Sequence, residues 1–540
     1  MADIVFLNGQ VVTADPQNRV AEAVAVSGNR IVAVGGNEEM RRHVHAGTRV
    51  IDLEGRSLLP GFIDAHLHIT LYGTNKLGVD CKAAGIDSVD GLLEALKRQA
   101  ERTPAGSWVR ASGFDENRMK ERRYPTRQEL DEVSTEHPIF VMRTCAHHSV
   151  VNSRALALAG FDEHTPDPQG GRLDRDETGA LTGLLVETAH MKMFETAAFS
   201  EEEYRRALRL ASDDFVAAGI TSVHDAGGYG PDNLQAMQKA VRSGDVKVRI
   251  YAMICALNES DAFVRRMMEA GVVTGLGDER FRIGPAKVFV DGASTAATMA
   301  MRQPYDNRPG DCGILYYNRD ELHTILGEAH AKGFQITAHA QGDRAIDLLL
   351  DCIEDALRKH PRGNHRHRIE HAGVSAPDLV ERMARLGVVP IPNPAFLYEY
   401  GDGYVRSIGD RVSHMYPVGD FFQSGIVSAG GSDCPVTDFS PLLGIHAAAN
   451  RRSKSGRVVG DRQRIGVMEA IRLFTVNGAY ASFEEDIKGS IEAGKLADLV
   501  VLNGRILDAA PERIRDLQVE LTMIDGEIVY QKQGREVMKG

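Results

Sequence analysis

The middle of the chain alternates short apolar runs with longer stretches in which apolar residues recur at helical spacing. The apolar runs are Gly61–His66, Ile220–Asp225, Val248–Ile254, Ala286–Asp291, Phe334–His339, His367–His371, Val388–Ile391 and Val427–Ser432. Runs of this length, bounded by Gly, Pro and polar residues, read as buried strands. Between them, segments such as Glu201–Ala218, Ile325–Lys332 and Pro377–Leu386 read as helices. Strands alternating with helices predict an α/β fold, and eight such units predict a (β/α)8 TIM-type barrel with its functional groups at the strand C-terminal ends. A doubly wound open sheet is the alternative, but no Gly-x-Gly-x-x-Gly or Walker-type loop supports it.

The two ends follow a different pattern. Ile4-Val5-Phe6-Leu7 and Val11-Val12-Thr13 flank Asn8-Gly9-Gln10, and Val24-Ala25-Val26 and Ile31-Val32-Ala33-Val34 flank Ser27-Gly28-Asn29. Both read as hairpins. At the other end, Ala497–Leu502 reads as a strand, and Leu521–Ile524 and Glu527–Tyr530 flank Asp525-Gly526. Two β-rich ends around a long middle suggest one composite sheet domain, with two separate caps as the alternative. Between the first and second barrel strands lie roughly 150 residues, Ile69–Gly219, far beyond a normal loop. They read as an inserted subdomain, holding the sole tryptophan, Trp108, and the turn-rich Thr165–Gly171. Insertions at an active face commonly act as lids or specificity elements.

Composition narrows the class. With 540 residues, 43% hydrophobic and 26% charged, the chain can bury a sizeable core. A net charge of −12 argues against a nucleic-acid partner. Six cysteines with no Cys-x-x-Cys pair suit a reducing, cytoplasmic setting better than a disulfide framework. The N-terminus lacks a basic region followed by a long apolar one, and no stretch of about 18 uninterrupted apolar residues predicts a membrane span. The sequon Asn258-Glu259-Ser260 carries no meaning in that compartment.

Candidate chemistry gathers at the strand ends. Leu59-Pro60-Gly61-Phe62-Ile63-Asp64-Ala65-His66-Leu67-His68 emerges from a Pro-Gly turn and ends in two histidines at i and i+2. On an extended strand these face one side and can share a metal ion. His43-Val44-His45 has the same spacing in a polar, helical-looking stretch, where i and i+2 diverge by about 200°. Lys287 sits inside the apolar run Pro285–Val290, an odd place for an unpaired ammonium. His339, His371 and Asp433 end or follow three further strands. Singly, each is explained as a cap or surface group. Four His and one Asp at the ends of four strands point jointly to a metal site, with a carboxylate able to hold the metal or take a proton from water. His224 ends the second strand, with capping and function equally open. His365 and His367 share parity with His371 but begin their strand and are set aside.

This pattern resembles the amidohydrolase superfamily over nearly the whole chain. The most specific pieces are Leu59–His68, Ala338-His339-Ala340-Gln341-Gly342-Asp343, Ile369-Glu370-His371-Ala372 and Gly431-Ser432-Asp433. Ala338–Asp343, Lys287 with Asp291-Gly292, and Asn152-Ser153-Arg154-Ala155-Leu156 are similar to the amidohydrolase-3 branch, which includes N-substituted formamide deformylase. The resemblance implies a distorted barrel over 59–480, a composite β-sandwich from 1–58 and 481–540, and an insertion at about 70–219. It further implies one or two divalent metals, with zinc expected. His66 and His68 would hold the first with Asp433, and His339 and His371 the second, bridged by carboxylated Lys287. His147, in Cys145-Ala146-His147-His148, stands where the family's insert carries a Gly-His before Asn-Ser, and is a candidate substrate ligand with His224. Gly113-Phe114-Asp115-Glu116 resembles the family's Gly-Trp-Asp-Glu, with Phe114 for Trp.

The expected reaction is hydrolysis of a C–N bond in a small amide or formamide, with Asp433 as general base and then acid and with His147 or His224 assisting at the carbonyl. A mononuclear deaminase on the same barrel ranks lower, because such sites pair the fifth-strand His with a Glu three residues on, where this chain has Gly342. A metal-binding regulatory protein without turnover ranks lower again, because the ligand set, Asp433 included, is complete. Whether the chain forms a homo-oligomer stays open.

Overall fold

The computed structural model describes residues 2–144, 148–168, 171–256 and 259–532. Seven of the apolar runs pair as one parallel sheet in chain order: β1 (Phe62–Leu67), β2 (Ile220–Asp225), β3 (Arg249–Ile254), β4 (Phe281–Phe289), β5 (Ile336–Ala340), β6 (Arg368–His371) and β7 (Val389–Ile391). Nearly every residue of these strands is buried, on both faces, which is why they read as continuous rather than alternating apolar runs. Helices follow the strands. Pro377–Leu386, for example, buries Leu379, Val380 and Met383 and ends at Gly387, whose φ of 70° suits the left-handed cap that glycine adopts without strain.

The eighth expected strand, Val427–Ser432, differs. It carries no regular ladder, yet hydrogen bonds join it to both neighbours. Ala429 N–H donates to Pro390 O (3.2 Å) and Gly431 N–H to Pro392 O (3.1 Å), while Ala65 N–H donates to Gly430 O (3.0 Å) and Asp433 N–H donates to His66 O (2.7 Å). Pro390 and Pro392 have no N–H to return, so pairing on that side runs one way and the parallel barrel sheet is nearly rather than fully closed.

Strands from the two chain ends form two further sheets. One runs Arg30–Gly35, Ala23–Ser27, Ile4–Leu7, Arg49–Asp52. The other runs Glu527–Gln531, Val519–Ile524, Leu499–Leu502, Ser57–Pro60, Gln10–Val12, Val20–Ala21. The second joins the chain's ends directly, with Leu499 opposite Pro60. Phe6, Val24 and Ile31 of the first sheet share one core with Val11, Leu499, Leu521 and Met523 of the second. The hairpins at Gly28-Asn29 and Asp525-Gly526 form as expected. Asn8-Gly9 does not make one. Asn8 takes a φ of 57°, but the chain turns there from one sheet into the other, because Ile4–Leu7 pairs with Ala23–Ser27 and Arg49–Asp52 instead.

The chain divides into two compact units, one of residues 1–69 with 211–540 and one of residues 70–210. The second has its own six-stranded sheet, in the order Gly171–Arg175, Leu181–Glu187, His148–Val151, Ile139–Arg143, Val109–Phe114, Val79–Asp80. Among the described residues, no helix is long and apolar enough to cross a membrane.

Candidate metal centre

β1 delivers the first two imidazoles. His66 is its penultimate residue and His68 follows its end, so both leave the barrel on one side. Gly431 lets the segment bearing Asp433 close on them: a Cβ there would lie 2.6 Å from His66 Cβ and 2.8 Å from His66 N. Asp64 ties the same two segments together by accepting from His66 N–H and Ser432 N–H, each at 3.1 Å. Burial pushes its carboxyl up to about 7 against those bonds.

His66 Nε2 and His68 Nε2 then lie 3.4 and 3.3 Å from Asp433 Oδ1, and one ligand atom from each of the three residues falls within 4.8 Å of the others. β4 brings Lys287 Nζ to 3.4 Å from His66 Nε2. β5 and β6 bring the remaining rings: His371 stands 4.7 Å from His66 and 4.5 Å from His339, centroid to centroid. All six residues expected to bind metal therefore meet at one end of the barrel. Two of them, His371 (φ 71°) and Asp433 (φ 57°), are held in the left-handed region, a conformation that costs energy and tends to occur at functional sites.

Each imidazole has one nitrogen fixed from outside the cluster. His66 Nδ1 bonds to Glu370, His68 Nδ1 to Gly227 O (2.8 Å), His339 Nε2 to Gly292 O (3.1 Å) and His371 Nδ1 to Asn393 Oδ1 (2.7 Å). These partners all accept, so each ring donates outward and offers a lone pair on its other nitrogen. Burial holds His339 down to about 4 and His371 well below its ordinary range, which keeps those two rings neutral. Burial also pushes the Asp433 carboxyl up, but the adjoining His66 and His68 outweigh it and hold the group well below the usual carboxylate range. Neutral rings and a carboxylate turned on one another present several acceptors and few donors. That donor set fits a divalent cation.

Lys287 is fully buried, and no carboxylate oxygen of the described residues lies within ion-pairing distance of its Nζ. Asp291, four residues further on, is engaged elsewhere. It accepts from Ala300 N–H (2.8 Å), Gln341 N–H (2.9 Å) and Gly342 N–H (2.8 Å), tying the end of β4 to the end of β5. His224 does not join the strand-end histidines. Its Nδ1 accepts from Arg368 Nη1 (3.0 Å) in the barrel interior, and its Nε2 is buried with no partner among the described residues. His147 lies outside the described residues. Three groups that sequence reasoning does not single out, Glu370, Asn393 and Asp64, hold the candidate ligands in place. For Glu370 and Asp64 the available signal is a carboxylate inside an apolar run ending in histidine.

The pattern describing the Amidohydrolase family matches residues 49–530. The N-substituted formamide deformylase of Arthrobacter pascens is 32% identical over 550 aligned residues, covering 99% of this chain and 99% of that protein. A putative amidohydrolase of Bacillus subtilis is 31% identical, over 98% of this chain and 99% of its own length. A crystal structure of an uncharacterized metal-dependent hydrolase from Pyrococcus horikoshii superposes with a TM-score of 0.80 at 26% identity, covering 94% of this chain and 99% of that one.

Proposed function

The chain belongs to the amidohydrolase family, and from that premise we propose that it is a metal-dependent hydrolase cleaving the C–N bond of an amide, formamide or related small molecule. The observation that carries this reading is the meeting of His66, His68 and Asp433 within 4.8 Å, each histidine with its far nitrogen already committed to an outside acceptor. His66, His68 and Asp433 would hold one divalent cation, zinc by preference for this donor set, and His339 and His371 a second. Such a cation would acidify a water molecule and polarise the scissile carbonyl.

The chain's own residues do the rest. Asp433 takes the proton of the attacking water as the water oxygen bonds to the carbonyl carbon. It returns that proton to the nitrogen as the C–N bond breaks, so that one amide and one water give one carboxylic acid and one amine. Lys287 would bridge the two cations as a carbamate. Its neutral amine nitrogen bonds to the carbon of carbon dioxide and releases one proton, leaving an N-carboxylate with a single negative charge. A buried lysine without an acid partner among the described residues supports this, since a free ammonium beside cations is unfavourable. In this reading residues 59–480 are the catalytic barrel, interrupted by an inserted subdomain at about 70–219, and 1–58 with 481–540 are a β-sandwich.

Metal analysis of the purified protein, with a panel of N-formyl amines and aryl amides as substrates, tests the reading. Bound metal with release of amine and acid is expected. Stoichiometric metal without turnover on any C–N substrate would favour a binding protein instead.

A further inference from the structure

Inside the barrel, behind His66, lies an ion pair with no exposed surface. Arg368 opens β6 and Glu370 follows two residues later, so both side chains point the same way; both residues are 0% exposed. Arg368 grips the carboxylate as a fork, Nε to Oε1 at 2.8 Å and Nη2 to Oε2 at 3.0 Å. Thr337 Oγ1 donates to Oε1 at 2.7 Å from the neighbouring β5, and His66 Nδ1 bonds to Oε2. The arginine is itself anchored, Nη2 donating to Ala65 O (2.7 Å) and Nη1 to His224 Nδ1 (3.0 Å). Every polar atom of the carboxylate is used, and the one outward bond it makes goes to a candidate metal ligand.

Such a pair is a poor device for stability. Removing two charges from water costs several kcal/mol per ion, and a well-packed apolar pair often serves as well. What an apolar pair cannot do is accept the Nδ1 proton of His66 with a full negative charge. That bond fixes the ring's tautomer and plane and raises the basicity of Nε2, the nitrogen 3.4 Å from Asp433 Oδ1. We propose that Glu370, kept in place by Arg368 and Thr337, is a positioning residue that sets how tightly the strand-end site holds its cation through His66. This inference rests on the metal reading given above.

The test uses the zinc-loaded full chain and measures zinc loss to a chelator. Glu370→Asp keeps the charge beside Arg368 but draws the carboxylate back by one methylene, away from His66. The double variant Arg368→Met/Glu370→Gln removes both charges and leaves a neutral acceptor. Both should lose zinc about 10–100-fold more readily than wild type, while the melting temperature of the metal-free protein stays near the wild-type value for the double variant. Either variant retaining zinc as wild type does would overturn the inference and leave the metal reading standing. A wild-type protein that takes up no zinc would overturn both.

Discussion

In the proposed mechanism Asp433 both holds metal and moves a proton. Its Oδ1 faces His66 and His68, and its own N–H bonds to His66 O at 2.7 Å. The backbone therefore holds the residue in place whatever the carboxyl does. Asp433→Asn should keep the fold and most of the metal yet lower turnover by about 10²–10⁴. Near-normal turnover in a metallated variant would remove the proton-transfer role. Lys287 tests a second residue. If it bridges as a carbamate, the wild-type protein reconstituted with bicarbonate should carry two metals per chain. Lys287→Ala should lose one or both, with part of the activity returning on addition of a short carboxylic acid. Full activity with a single metal, whatever the bicarbonate supply, would mean that the lysine stays an amine.

At the scale of the element, the candidate ligands are legible in the sequence and the contacts that hold them are not. His66 and His68 announce themselves by i, i+2 spacing on an apolar strand, a local signal. Glu370 is 304 residues from His66 in sequence, and nothing near either residue encodes the bond between them. The eighth barrel position departs from expectation for a related reason. Val427–Ser432 looks like a strand by itself, but its pairing is cut on one side by Pro390 and Pro392 of another segment. The start of β6 supplies a further case. His365 and His367, set aside as ligands, are buried with His330 in a closed chain of neutral tautomers. Ile336 N–H donates to His367 Nδ1 (3.1 Å), His367 Nε2 reaches His330 Nδ1 (2.8 Å), and His330 Nε2 reaches His360 O (2.7 Å). Burial lowers all three below 6.5. Above that pH they are neutral folded or unfolded and cost nothing. As pH falls below it the unfolded chain binds protons that the native rings refuse, so stability is lost, by at most about 1.4 kcal/mol per pH unit for each ring. Urea titrations of the metal-loaded protein between about pH 7.5 and 5.5, a window that spans the ordinary histidine pKa, should show the midpoint falling, and His367→Gln should flatten that fall. An unchanged slope would place the acid sensitivity elsewhere.

For the molecule as a whole, the question is what fastens the two ends of a 540-residue chain to the barrel between them. Sheet pairing is one fastening, since Leu499–Leu502 lies against Ser57–Pro60 just before β1 begins. The other is electrostatic. Arg249, the first residue of β3, is 2% exposed and forks onto Asp498, with Nε to Oδ2 at 2.7 Å and Nη2 to Oδ1 at 2.9 Å. The same Nη2 reaches Asp525 Oδ1 at 2.5 Å in the last hairpin turn, and Arg280 Nη1 meets the other oxygen of Asp525 at 3.1 Å. Burial pushes the Asp498 carboxyl up, but the Arg249 charge outweighs it and holds the group below its ordinary value. The stability this pair gives is therefore present above the ordinary carboxylate pKa and lost as pH falls through the lower, folded one. Removing the arginine alone strands a buried carboxylate. Arg249→Met should cost about 3–5 kcal/mol and lower the unfolding midpoint accordingly, whereas Arg249→Met with Asp498→Asn should recover much of the loss. Limited proteolysis adds a local readout: in the single variant, cleavage should begin in the C-terminal strands before the barrel. A single variant with the wild-type midpoint and cleavage pattern would show that backbone pairing alone holds the ends, and that the buried charges serve only to choose the register.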